Sequence, residues 1–194
     1  MSNDLTWPRR TKQLELHPPN LTVIDEVLAV RNDPEMNRWF MVTSAEPEPF
    51  RKAWLESVDD PDAYHLVAMS GGAVVGIASL EISDGMGQGM GGTDTESLPW
   101  RHSEGSIDYM IKPAYAGQGY ATEIVRDLLS LAFDDLGLRR VTGGCFADNI
   151  ASWRVMEKAG MRREQHGVQD SWHEELGWID GYMYGILAEE WKAS

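Results

Sequence analysis

Two glycines, Gly117 and Gly119, lie in a short turn between a strand that stops at Pro113 and a long amphipathic helix. This pattern makes an anion cradle. Glycine lets the backbone approach a ligand closely. The first N–H groups of a helix have no internal partners, and the helix dipole adds partial positive charge at that end. A pyrophosphate can be held there without any lysine or arginine. The same spacing also serves as a plain glycine-assisted turn with no ligand, so the turn alone does not decide the matter. Further along, Asn149 is placed to cap a short helix that Gly160 ends. Ser152 and Met156 stand four residues apart on one face of it.

Other residue types carry less chemistry. Cys145 follows Gly143 and Gly144 on a strand and reads as a buried thiol, since nothing near it in sequence lowers its pKa. Trp153, Trp172 and Trp178 read as packing or cleft wall. No His or Cys spacing suggests a metal site. Five of the eight residues from Gly85 to Gly92 are glycine. A dinucleotide fingerprint there would need a helix directly after it, and Thr-Asp-Thr-Glu-Ser-Leu-Pro is no helix start. The segment 84–100 reads instead as a mobile loop beside the site, a candidate lid.

These pieces need elements to hold them. Leu14 to Leu16 suggests a first short strand. Asn20 suggests the cap of a helix from Leu21 to about Arg31, with Val23, Ile24, Val27 and Leu28 at helical spacing. Further helices are expected from Asp33 to Phe40, where Asp-Pro is a good start, and from Pro47 to Val58. Strands follow at Tyr64–Met69 and Ala73–Ile82, joined by a Gly71-Gly72 turn. The remaining expectations are a strand at Ser106–Lys112, a helix at Gly117–Leu136 ended by Gly137, a strand at Arg139–Phe146, the Asn149 helix, and strands at Met161–Gln165 and Ile179–Leu187. The order predicts a single α/β domain over 1–194, built on a mixed sheet.

Composition narrows the class. The chain has 194 residues, 31 acidic against 17 basic, and a net charge of −14. That field repels nucleic acid and attracts cationic partners such as protonated amines. It also repels polyanions, so a phosphate site would have to be made locally by backbone N–H groups. No apolar run is long enough for a membrane helix, the N-terminal segment lacks the apolar core of a signal peptide, and a lone cysteine fits a reducing compartment. A cytoplasmic protein, monomer or homodimer, is expected.

The ordered pieces together resemble the GNAT superfamily of N-acetyltransferases, and within it the branch of ribosomal-protein N-terminal acetyltransferases (RimJ and RimL). The resemblance runs from about Leu66 to Trp191. It is carried by Tyr115-Ala116-Gly117-Gln118-Gly119-Tyr120-Ala121-Thr122-Glu123, by Asn149-x-x-Ser152 with Glu157-Lys158-Ala159-Gly160, and by Asp180 with Glu190-Trp191. It implies a mostly antiparallel sheet with splayed strands and flanking helices, and acetyl-CoA as the acetyl donor. By resemblance, free backbone at Met110 and Ile111 pairs with the pantetheine arm. The backbone around Ala116, Gly117, Gln118, Gly119, Tyr120 and Ala121 holds the pyrophosphate. Asn149 and Ser152 lie toward the pantetheine and the thioester sulfur. An amine, from a peptide N-terminus or a small molecule, attacks the thioester directly, so no nucleophilic residue is needed. The same resemblance leaves room for an acyl-CoA-binding module that has lost catalysis.

The departures are specific. Ala114 stands where relatives usually carry Gln or Arg. Met156 stands where many carry the tyrosine that protonates the thiolate, and a thioether cannot donate a proton. Ser152 or a water must then serve. Asp108 stands where the closest branch often has glycine. For the base, Glu104, Asp108, His102 and Asp180 are all candidates. Strand alternation puts Glu104, Ser106 and Asp108 on one face, which also reads as an ordinary solvated strand face.

Overall fold

The computed structural model describes residues 5–40, 44–88 and 98–193. In chain order it has β1 (Arg9–Arg10), β2 (Glu15–His17), α1 (Ile24–Arg31), α2 (Pro34–Asn37), α3 (Pro47–Glu56), β3 (Ala63–Ser70), β4 (Ala73–Ser83) and β5 (Glu104–Ile111). Then come α4 (Tyr120–Ser130), β6 (Arg140–Phe146), α5 (Ile150–Lys158), β7 (Arg162–His173), β8 (Gly177–Leu187) and α6 (Ala188–Lys192).

The described strands form one eight-stranded sheet in the order β1-β2-β3-β4-β5-β6-β8-β7. Every neighbouring pair is antiparallel except β5 and β6. This is the mixed, mostly antiparallel sheet with flanking helices that was expected. The β5–β6 pair is short. It covers only Glu104–Ser106 against Arg140–Thr142, while β5 stays paired to β4 as far as Ile111 and β6 to β8 as far as Phe146. Beyond Ser106 the two strands part, leaving a wedge in the middle of the sheet.

Alternation along the strands divides the core in two. Leu66, Ala78, Leu80, Ile107 and Val141 pack under α4 and α5, against Ile124, Leu128 and Met156. Val67, Val74, Ile77 and Met110 face the other way, toward Val27 of α1, Met36 of α2 and Trp54 of α3. Leu128 is fully buried. Its replacement by alanine is expected to cost about 2–5 kcal/mol, from lost transfer energy plus the residual cavity. Denaturant unfolding checks this, and a loss well below that range would mean that the wedge collapses to fill the space.

Local chemistry explains where elements begin and end. Gly71 and Gly72 have φ of +57° and +85°, as a tight hairpin requires. The carboxylate of Asp33 accepts from the N–H groups of Glu35 and Met36 and starts α2, which ends at Asn37, short of the expected Phe40. Asn20 does not cap α1. Its side chain accepts from Thr22 N, closing a local turn, and the helix starts at Ile24. Past Ser130, α4 widens into a π turn over Leu131–Asp135, with Leu136 N donating to Leu131 O. Strand β7 runs to His173, well beyond the expected Gln165, because it zips against β8 through two irregular steps in register.

Candidate active site

A cavity of about 1530 Å³ is lined by residues from both faces of the sheet at the wedge. On the α4/α5 side it meets Gly117, Gly119, Tyr120, Ala121, Asn149 and Ser152; on the α1–α3 side it meets Asp108, Glu81, His65 and Trp54. The wedge is therefore a passage through the sheet.

The glycine turn has the geometry of a cradle. Gly117 and Gly119 sit at φ +77° and +88°, and a Cβ at either would meet no protein atom within 4 Å. Gly119 is the N-cap of α4 and has no side chain to occupy the first turn's N–H groups. The 11-residue helix thus presents uncapped donors to the cavity. Helix α5 differs, since the side-chain oxygen of Asn149 accepts from Ser152 N at 3.2 Å. Met110, Ile111 and Ala116 line the same space. Gln118 does not; it lies on the outside of the turn, where its carbonyl accepts from Gln13 Nε2. Arg154 and Lys158 of α5 also line the cavity. The local positive charge is thus not purely backbone, as the overall acidity had suggested. These features fit a pantetheine arm along the open edge of β5 and a pyrophosphate at the start of α4.

The proton chemistry falls on opposite sides. Tyr109 points to the α5 side. Its hydroxyl lies 3.0 Å from Ser152 Oγ and donates to Ser152 O at 2.9 Å. Burial pushes its pKa up, so the phenol keeps its proton. Tyr109 was not singled out from the sequence. The available signal was a tyrosine on β5 of the parity that faces α5. Met156 is buried in the core, so the phenol near Ser152 comes from the strand instead of the helix. Cys145, another neighbour of Ser152, is pushed up to about 11 by burial and remains a thiol at neutral pH.

Of the four base candidates, Asp108 alone lines the cavity. Burial raises its pKa, and Glu81 nearby raises it further. Asp108 keeps contact with water through the cavity, yet the walls remove enough solvent to disfavour its charge. Glu104 shares its strand face by alternation but lies outside the cavity, paired with Arg139 and Arg140. His102 bonds Asp62 through Nδ1 at 2.9 Å. Asp180 is held by His166 at 2.6 Å and by Gln169 N at 2.9 Å. Those bonds depress its pKa and make it a weak base. Glu81 was missed from sequence, because a lone glutamate on a strand looks like any solvated one.

Asp108 also makes a stability test. A carboxyl whose folded pKa is raised favours folding while protonated, and that contribution is lost as pH rises through the folded value. Asp108→Asn is therefore expected to raise Tm at pH 7, with the gain vanishing below the ordinary aspartate range. An unchanged Tm at pH 7 would mean that Asp108 is well solvated.

The candidate lid lies partly outside the described residues. Its described flanks pack together: Gly85 N donates to Trp100 O at 2.7 Å, and Asp84 accepts from His102 N at 2.9 Å. Neither flank lines the cavity. Among the described residues no group of His, Cys, Asp and Glu is arranged to hold a metal, and no helix is long and apolar enough to cross a membrane.

Comparison with known proteins identifies the family. Residues 13–162 match the family of acetyltransferase (GNAT) domains, and the chain belongs to that family. It is 39% identical over 86 residues to an uncharacterized N-acetyltransferase, YnaD, of Bacillus subtilis, a match covering 44% of this chain and 50% of that one. The matches to this and the next most similar curated relatives span half or less of their length. Among solved structures, the fold is similar to spermidine N-acetyltransferase from Vibrio cholerae in complex with CoA and spermine. The TM-score there is 0.77 at 15% identity, over 94% of this chain and 99% of that one. It is also similar to RimL, an alpha-N-protein acetyltransferase in complex with coenzyme A, with a TM-score of 0.75 at 16% identity over 93% and 97% of the two chains.

Proposed function

We propose that the protein is an N-acetyltransferase that transfers the acetyl group of acetyl-CoA to a primary amine, by direct attack in a ternary complex. The observation that carries this is the through-sheet cavity, with an anion cradle and a hydroxyl pair on one side and a basic carboxylate on the other. Acetyl-CoA supplies an activated thioester. The N–H groups at the start of α4, with Arg154 and Lys158, hold its phosphates. The unpaired edge of β5 at Met110 and Ile111 and the side chain of Asn149 align its arm. Asp108 takes a proton from the incoming ammonium, freeing the nitrogen lone pair. As the C–N bond forms and the C–S bond breaks, Ser152, backed by Tyr109, gives a proton to the departing sulfur, and the second proton that the nitrogen loses on becoming an amide returns through water to Ser152.

The acceptor is cationic before reaction. The net charge of −14 and the carboxylates of Glu35, Glu81, Asp108 and Asp170 around the cavity support this reading. It includes the ribosomal-protein N-terminal branch, whose peptide acceptors carry such an amine, and also small amines. We place the enzyme in the cytoplasm. A catalytically silent acyl-CoA-binding module is the reading that Met156 and Ala114 favour; the hydroxyl of Tyr109 at Ser152 supports the catalytic reading instead.

The test is release of free thiol from acetyl-CoA with a panel of N-terminal peptides and small amines. Tight CoA binding with no turnover across the panel would leave only the silent module. Within the panel, Asp108→Asn is expected to raise KM for the amine and flatten the rise of rate with pH. Amine KM is also expected to rise with salt, since attraction across a wet cleft is screened over about 8 Å at physiological ionic strength. Unchanged amine kinetics in Asp108→Asn would move the base elsewhere.

A further inference from the structure

The tip of the β7–β8 hairpin is tied to the end of α2 by a side chain that the acetyl-transfer scheme does not use. His173, the last residue of β7, is only 4% exposed. Its Nδ1 lies 3.2 Å from Glu175 N and 3.3 Å from Leu176 N. Both partners are N–H groups, so Nδ1 can only accept there. In the neutral ring the proton is then on Nε2, which donates to Arg38 O at 2.7 Å. Both nitrogens of this buried ring are thus used, one to close the hairpin turn and one to reach across to α2.

We propose that His173 is a positioning residue for the amine acceptor: by latching the hairpin to α2 it fixes the width of the acceptor side of the cavity, and with it the size of amine that fits. The inference rests on the acceptor reading above.

Both ends of the latch bear on cavity wall. The hairpin contributes Asp170, Trp172 and Trp178 to the lining, and α2 with the residues after it contributes Glu35, Met36 and Trp39. Trp172 directly precedes His173 and meets Trp178 edge-on across the hairpin at 5.5 Å, so the latch carries both rings. His173 itself packs against the rings of Trp39 at 5.1 Å and Phe146 at 5.3 Å. Phe146 ends β6 and also lines the cavity.

The α2 end is firm. Asn37 is buried, accepts from Arg31 Nη1 at 2.6 Å and donates to Arg31 O at 2.6 Å, which holds α2 to α1. A second tie between the walls, Arg38 Nε to Glu175 Oε2 at 3.5 Å, is exposed and worth little alone. With an anchored helix end on one side and a closed turn on the other, the single bond from Nε2 sets the gap between them.

The experiment compares His173→Asn and His173→Gln with wild type, on primary amines ordered by bulk from small alkylamines to aralkylamines. Asparagine places its amide near the position of Nδ1. It can still accept from the turn but stops short of Arg38 O. Glutamine places an N–H near the position of Nε2. It keeps the bond to Arg38 O and gives up the turn. Both lose the ring, so the packing loss is common to the two and thermal melts record it. His173→Asn is expected to raise kcat/KM for bulky amines relative to small ones by roughly three- to tenfold, the change that one lost hydrogen bond supports. His173→Gln is expected to keep the wild-type ranking. KM for acetyl-CoA is expected to stay within about twofold in both, because the cradle belongs to α4.

A wild-type ranking in folded His173→Asn overturns the latch. So does an equal shift in His173→Gln, which would assign the effect to the lost ring. If His173→Asn does not fold, His173→Gln decides alone: a wild-type ranking upholds the latch and a shift toward bulky amines overturns it. A panel in which wild type acetylates no primary amine overturns both this inference and the acceptor reading. Turnover by wild type with an unmoved ranking in His173→Asn overturns the latch alone.

Discussion

Gly119→Val is expected to weaken acetyl-CoA binding by about a hundredfold or more. Two effects combine. The residue sits at φ +88°, where a β-branched side chain is strained. Its Cβ would also project into space that no protein atom occupies and that the phosphates need. A hydrogen bond to a charged group contributes about 1.5–3 kcal/mol, and each 1.4 kcal/mol is about tenfold in affinity, so two displaced N–H contacts account for the size of the effect. Strain alone is separated by Gly137→Ala. Gly137 has φ +70° and a Cβ there also meets nothing within 4 Å, but it lies beyond the far end of the same helix. That variant should lose stability, roughly 1–2 kcal/mol for a left-handed residue, and keep its affinity. Calorimetric titration with thermal melts reads both. A folded Gly119→Val protein with wild-type affinity would remove the cradle from the scheme.

The second large effect is expected at the hydroxyl pair. Ser152→Ala should lower kcat by roughly ten- to a thousandfold with little change in affinity for acetyl-CoA. Tyr109→Phe should fall in the same range. Because the hydroxyls are 3.0 Å apart and serve one proton transfer, the double variant should cost little more than either single one. Additive losses would mean two independent roles. The raised pKa of Tyr109 sets the sign of the pH effect: the phenol holds its proton above the ordinary tyrosine value near 10. The rate of the wild-type enzyme should therefore show no fall from Tyr109 up to about that pH, and a Ser152→Ala enzyme with full activity would assign the role to water.

Much of the site is legible in local sequence because local sequence builds it. The strand that stops at Pro113, the two glycines and the helix behind them are contiguous, and they supply the backbone donors of the cradle. Asn149 and Ser152 are three apart and make a helix start wherever they occur. What local sequence does not carry is the pairing of distant strands. Glu81 and His65 join Asp108 only through the register of β3, β4 and β5. Tyr109 reaches Ser152 only because β5 and α5 pack together, 43 residues apart in the chain. Glu104 shows the converse: its alternation with Asp108 is legible, but Arg139 and Arg140, which hold it outside the cavity, arrive from β6 and the residue before it. The late start of α1 is backbone competition, where Asn20 closes its own turn before a helix can form.

The wedge between β5 and β6 has a consequence for how such a protein can change over generations. In the proposed scheme the donor side of the cavity is bounded by α4 and α5 and the acceptor side by α1 to α3, the two meeting where β5 and β6 part. A substitution at Trp54 or His65 reshapes what is acetylated without disturbing the turn at Gly117. One at Arg154 alters the grip on phosphate without touching the amine. Two compartments that share a doorway and few walls can drift at different rates, so lineages can exchange one customer for another while keeping the same supplier.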